Sequence, residues 1–509
     1  MLKISDYISM MLSFLALLVF YLIFSGSLSM NLGVTDTLDE IELPENFSIE
    51  EECRVEEPVF AVICGGQEGS ERTKEIVQMI SSLKKEYAVF PTVDQISETQ
   101  AEKITTIVVT ADNWEEIGNK ELLLQYAEKQ GKKIIFTSIM EDATGEYNKT
   151  IGILKNEGLK KIKGLMIFDG MFIQGMVYYD NLKMEVSDIT VDARCKKLMI
   201  EKTKKQTEQR DLIPLVWEKR YGNGCFYVVN GEFLNMESGM GIFTGMLSQM
   251  EDTLVYPVVN TKANLLDFFP EISNPYDEQI KSLYSRDTNM FIRDIVWPSI
   301  VKLGESNTLV FSTRLNRQIS EKDQDEYAYM EELLEKRNYE VDDSFTTSEL
   351  EIPYITSGHK RSDKEIFKMQ SSISGSVLAT HYLDMSEVMG KNADDQDYEW
   401  SSYSLELSKL MYDLYKETDW IDAMNVSQAL ERYKRYLLIQ PEIEKSENQI
   451  SIKTDNFHDV CFYMIRTEKR VVSGEGYEVS KVGENAYMIE VLKDNITIQL
   501  EENAEKNTK

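Results

Sequence analysis

The chain has 509 residues, too many for one ordinary domain and enough for two or three of roughly 150 residues each. Its 87 acidic side chains outnumber 55 basic ones, for a formal net charge of −32 at pH 7. The excess is spread along the chain, which argues against nucleic acid and anionic membrane surfaces as partners and favours a cationic one, although acid excess also serves solubility alone.

The first segment to stand out is apolar. From Ile8 to Phe24, "ISMMLSFLALLVFYLIF" carries no charge; Lys3 precedes it and an acidic run from Asp36 to Glu52 follows. At ~1.5 Å per residue it reaches about 25 Å, which predicts a short membrane helix within residues 1–27. A cleaved signal peptide ending near Ser25-Gly26-Ser27 is the alternative, but the run exceeds the usual ~7 to 15 residue apolar region. The charge asymmetry predicts a single-pass anchor in the cell membrane with the bulk of the chain extracytoplasmic. Residues 28–57 read as an acidic linker.

Order is expected from Pro58. "VFAVIC" (Val59 to Cys64) is an apolar strand, "GGQEG" a turn, and Glu71 to Lys85 a helix with Ile76, Ile80 and Leu83 on one face. "TTIVVTA", "KELLLQYAEKQG" and "KKIIFTSI" repeat the alternation, so residues 58–250 are predicted to form a parallel sheet covered by helices. Gly222-Asn223-Gly224 signals a hairpin. Residues 251–440 mix short strands ("LVYPVVN", "NTLVFST") with helices, the longest from Tyr398 to Leu438 and broken near 418–425. Residues 441–509 alternate as a small all-β domain with a disordered tail.

Few residues could carry chemistry. "CGGQEGSER" has glycines where a phosphate loop would have them, but Cys64 stands where a glycine is needed, and Glu68 and Glu71 would repel phosphate; a plain strand-to-helix turn is the better reading. Cys53, Cys64, Cys195, Cys225 and Cys461 show no C-x-x-C spacing. Cys53 and Cys64 could pair in an exported chain, or remain isolated buried thiols. Only His359, His381 and His458 are present, with no H-x-x-x-H or H-E-x-x-H pair, so the compact two-imidazole clamp of zinc hydrolases is missing.

The strand and helix order of residues 58–250 resembles the glutamine-amidotransferase-like fold, with Thr137-Ser138-Ile139 where active members place a cysteine. "YPVVNTKANLLDFFPEIS", "FIRDIVWPSI", "LVFSTRLN" and "THYLDMSEV" together resemble an uncharacterised family of membrane-anchored bacterial proteins related to polysaccharide deacetylases and associated with Pel-type exopolysaccharide gene clusters. The resemblance implies an amidotransferase-like domain joined to a deacetylase-like (β/α) barrel. Active deacetylases pair two acids at a strand end and bind a metal with two histidines. Here Asp267 matches alone, between Leu266 and Phe268, and no H-x-x-x-H lies between Asp267 and Trp400.

The expectation is therefore an α/β protein: an anchor, an amidotransferase-like parallel sheet, a degenerate deacetylase-like barrel and a small β domain. Asp267 is expected to be a vestigial catalytic acid whose substitution matters little, with His381, Asp384 and Trp297 contacting substrate. No cofactor is expected; the alternative is zinc or another divalent metal held by Asp267, His359 and His381. The function expected is accessory, supporting synthesis or export of a cell-surface polysaccharide, with a cationic polymer suiting the acidic surface, by binding the glycan or a polysaccharide synthase or transporter subunit. A metal-dependent polysaccharide deacetylase, and a surface sensor or assembly scaffold, are the alternatives.

Overall fold

The computed structural model describes residues 38–503 with the exception of 46, 204–210, 270–276, 315–323, 338, 343–351 and 386–399. The apolar segment Ile8–Phe24 lies outside the described residues, among which no helix is long and apolar enough to cross a membrane.

In the first region the strands are Phe60–Ile63 (β1), Tyr87–Phe90 (β2), Thr106–Val109 (β3), Lys133–Phe136 (β4), Ile153–Ile162 (β5), Leu165–Ile167 (β6), Val177–Tyr179 (β7), Met184–Val191 (β8), Lys196–Glu201 (β9), Pro214–Tyr221 (β10) and Gly224–Val229 (β11). Nine of them form one sheet in the order β2-β1-β3-β4-β11-β10-β9-β6-β7. β2, β1, β3, β4 and β11 are mutually parallel. Such strands are covered on both faces, which is why β1 and β3 are buried at every position. The helices that cover them start on side-chain caps: Ser70 accepts from Thr73 N, and Asn119 from Leu122 N.

The sheet then changes sense, because β10 and β11 form an antiparallel hairpin with Tyr221 opposite Gly224. Gly222 opens the two-residue turn with φ 57°, and a Cβ there would meet the Glu128 carbonyl oxygen at 2.4 Å, so the position admits only glycine. β9, β6 and β7 extend this antiparallel half, while β5 and β8 pair only with each other.

The next strands are Thr253–Val258 (β12), Thr261–Asp267 (β13), Phe311–Arg314 (β14), Glu340–Asp342 (β15), Thr356–Ser357 (β16) and Leu378–Asp384 (β17). The last five make an all-parallel sheet in the order β15-β14-β13-β17-β16. Among the described residues no pair joins β15 to β16, its marginal strands of three and two residues, and the barrel expected from the sequence is described only as this five-stranded parallel sheet. β13, at its centre, is buried throughout.

β12 also departs from the expected order. It leaves the sheet that follows it and pairs antiparallel with Cys461–Thr467 (β20). With Gln440–Lys445 (β18), Gln449–Asp455 (β19), Arg470–Val472 (β21), Tyr477–Gly483 (β22), Ala486–Val491 (β23) and Asn495–Glu501 (β24), it builds two four-stranded sheets, β12-β20-β23-β22 and β18-β19-β24-β21. These share one apolar core containing Val255, Ile452, Tyr463 and Ile498. All five cysteines are free thiols, so Cys53 and Cys64 are not bridged.

The two sheet regions meet helix on helix. Met240–Met250 crosses Asp363–Gly375 so closely that a Cβ on Gly241 would lie 2.5 Å from the Ser371 carbonyl oxygen. Gly241 N donates to Ser371 Oγ at 2.9 Å, and Thr244 Oγ1 to the Ser374 carbonyl at 3.2 Å. Replacing Gly241 by Ala should overpack this contact and cost about 1–3 kcal/mol. The expected readout is a lower Tm with faster hydrogen exchange in both helices; an unchanged melt and exchange pattern would contradict this description of the junction.

Candidate functional site

In an open parallel sheet, ligands gather at the carboxyl ends of the strands, where the chain turns away and backbone groups become available. At that end of the five-stranded sheet the register sets Asp267 beside Arg314 on β14 and beside Asp384 on β17. The segments that follow β13, β14, β15 and β17 contain the residues outside the description.

Asp267 is the last residue of β13 and only 4 % exposed. Its Oδ2 accepts a 2.7 Å hydrogen bond from Tyr382 Oη, and its Oδ1 accepts from Phe268 N at 3.1 Å. Arg314 Nε lies 3.6 Å from Oδ1. A buried carboxylate must be matched in this way by donors and a countercharge. The chain reverses here at Phe268, whose φ of 57° is unusual for a residue with a Cβ, and strain of this kind at a strand end is a recurrent feature of functional sites. The Tyr382 hydroxyl has its pKa pushed well up, first by burial and then by its bond to the Asp267 carboxylate, so it stays a donor.

The other expected site residues divide. Asp384 is half-buried and shares the Asp267 end of the sheet. His381 does not: three positions earlier on the same strand, it points to the opposite face, and it lies about 10 Å back along β17 at ~3.3 Å per residue. It is completely buried, with Nδ1 2.8 Å from Thr356 Oγ1 and Nε2 without a hydrogen bond. Its register neighbour is Asn264, whose Oδ1 accepts from Tyr415 Oη at 2.8 Å. Two residues before Asn264 on β13, Lys262 is buried and donates to the Thr418 carbonyl at 3.2 Å. Burial lowers both pKa values, to about 4 for His381 and about 8 for Lys262. His359 stacks on Tyr403, ring centroids 4.1 Å apart, beyond edge strand β16. Trp297 is buried edge-on against Tyr339 at the start of the Trp297–Asn307 helix.

Asp267, His359 and His381 do not converge: one imidazole faces the other side of the sheet, one lies outside its edge, and a guanidinium stands beside the carboxylate. Among the described residues no three His, Cys, Asp or Glu side chains are grouped to hold a metal ion. These three residues do not form a shared metal site.

Residues 85–331 and 326–488 match the family described as uncharacterised protein conserved in bacteria, DUF2194. The chain belongs to this family. Among solved structures, the DUF2194 chain is similar to Agd3, described as a novel carbohydrate deacetylase, with a TM-score of 0.50 and 8% identity over 87% of this chain and 98% of that one. Other similarities are partial. A putative ThuA-like protein from Bacteroides uniformis overlaps 42% of this chain and 96% of its own, with a TM-score of 0.29 and 10% identity. A β-galactosidase from Bacillus circulans overlaps 40% and 34%, with a TM-score of 0.27 and 11% identity. A comparison with curated proteins finds no match. At 8% identity the likeness to Agd3 establishes a shared fold.

Arg314 and Tyr382 were not singled out by the sequence reading, although both complete the environment of Asp267. A strand parity count would have placed Tyr382 on the face of Asp384, since they are two residues apart, and His381 opposite. Tyr382→Phe should leave the buried carboxylate one donor short and destabilise the protein by about 1–3 kcal/mol, read as a lower denaturation midpoint. Burial of neutral His381 sets a pH dependence. Its folded pKa lies below the unfolded value of about 6.5, so its contribution is complete above pH 6.5 and is lost as pH falls from there through about 4, by about 3 kcal/mol. The loss of stability over that window should be correspondingly smaller in His381→Gln; an equal loss in both proteins would contradict it.

Proposed function

We propose that this DUF2194 protein is a membrane-anchored, extracytoplasmic accessory protein that supports synthesis or export of a cell-surface polysaccharide by binding the glycan or a synthase or transporter subunit without cutting bonds. One observation carries the reading: the Asp267 carboxylate is engaged by Tyr382, the Phe268 amide and Arg314, all from its own chain. Metal-assisted hydrolysis needs a cation to acidify water and a base to take its proton. A carboxylate already paired with a guanidinium is poorly placed for either task. The fold shared with a carbohydrate deacetylase supports a glycan as the ligand class, and the net charge of −32 favours a polymer bearing amines. The apolar run from Ile8 to Phe24 supports the anchor and its cell-membrane location.

Two measurements decide it. The purified full-length chain is expected to carry no stoichiometric zinc and to release no acetate from an N-acetylglucosamine oligomer; bound zinc with acetate release would instead establish a deacetylase. In the producing cell, deletion of the gene should abolish the surface polymer, and a copy carrying Asp267→Asn, which keeps the shape of the side chain, should restore it. Polymer levels unchanged by deletion would refute the role.

A further inference from the structure

Between the two sheet regions lies a cavity of about 330 Å³, lined by residues of the Met240–Met250 and Asp363–Gly375 helices and by Pro353–Ile355, just before the edge strand β16. We propose that it is a saccharide subsite that receives one ring of a neutral or N-acylated glycan, an inference that rests on the glycan-binding reading above.

Size and lining point the same way. The volume is at the small end of the range for small-molecule sites, roughly 300–1,000 Å³, and the position between two lobes is a common one. Tyr433 and Tyr436 line one wall with rings 5.9 Å apart and inclined by only 22°, offering apolar faces of the kind that pack on the C–H face of a sugar ring. Tyr354 lines it too and lies 5.7 Å from Tyr382, the donor to Asp267, so an aromatic row connects the cavity with the Asp267 cluster.

The polar groups are those a sugar uses. Ser372 Oγ donates to the Leu378 carbonyl at 2.7 Å, whereas Ser376 Oγ lies 3.4 Å from both Ser372 Oγ and the Ser372 carbonyl, the outer limit of a hydrogen bond, and a ligand hydroxyl would improve on those pairings. Lys368 Nζ and Glu237 Oε2, 2.7 Å apart, form an ion pair that offers donor and acceptor side by side to vicinal hydroxyls. The pair is neutral overall and suits an uncharged ring, such as an N-acylated unit of a polymer whose free amines elsewhere would meet the acidic surface. Met240 and Leu378 supply apolar surface for an acyl methyl group.

The test is titration of the full-length protein with an N-acetylglucosamine tetramer and, separately, with decanoate, followed by calorimetry and saturation-transfer NMR. The wild type should bind the tetramer. Tyr433→Ala, which removes a wall, and Ser376→Phe, which fills the cavity and keeps the tyrosines, should each weaken binding at least tenfold. Thermal melts identify a variant that has lost its fold, and Ser376→Phe decides if Tyr433→Ala fails to fold. Tetramer binding of wild-type strength in a folded variant would overturn the subsite and leave the glycan reading standing. Absence of tetramer binding in the wild type would overturn the subsite, whereas the accessory role falls only if deletion leaves the polymer unchanged. Decanoate binding that Ser376→Phe abolishes, with tetramer binding intact, would assign the cavity to an apolar chain and overturn the proposal.

Discussion

The contact between the Met240–Met250 and Asp363–Gly375 helices sets the relation of the two sheet regions. Gly241 and Gly375 let the backbones approach, with a Cβ on Gly375 falling 2.6 Å from Met240 Cγ. That proximity turns serine and threonine hydroxyls into cross-links. Ser374 Oγ accepts from Ile173 N, and the Ser374 carbonyl accepts from Thr244 and Tyr256. Bonds of this kind are each modest, but burial away from water makes them expensive to break singly, so the junction behaves as a unit. The cavity, the start of β17 and the beginning of β13 are all positioned from it.

From this junction β17 carries two different environments on its two faces. On one, Tyr382 and Asp384 run toward Asp267 and Arg314, where a buried charge is compensated and the site is open to whatever the adjoining segments supply. On the other, His381 joins Asn264, Tyr415 and Lys262 in a region with no solvent, where burial keeps the imidazole neutral. The charge-compensated carboxylate sits at the strand ends, and mid-sheet the buried imidazole stays neutral while burial lowers the Lys262 pKa to about 8. Asp267 thus meets Arg314 and Tyr382 from the two strands that flank β13.

Local pattern was legible in the sequence. The apolar runs at Val59–Cys64 and Thr105–Ala111 announce strands buried on both faces, and Gly222-Asn223 announces its hairpin through the one residue that accepts φ 57° there. What depends on partners remote in sequence was not. β12 sits directly before β13, yet finds its ladder more than 200 residues later in β20, because its neighbour in sequence offers it no edge. Asp267 looked solitary because its partners come from other strands, Arg314 47 residues on and Tyr382 115 residues on. His381 and Asp384 looked like a pair in sequence; the two-residue period of a strand separates them to opposite faces.

The helix Val426–Leu438 ties these parts to the start of the described chain. Glu431 Oε2 accepts from Ile41 N at 2.7 Å, and Arg435 Nη2 donates to the Asp39 carbonyl at 2.9 Å and to Asp459 in the β domain at 3.1 Å. Leu43 and Phe47, like Tyr354, Tyr382 and Tyr433, pack against the buried apolar cluster that contains Tyr436. The same helix that lines the cavity with two tyrosines thus fastens the N-terminal segment and touches the C-terminal sheets.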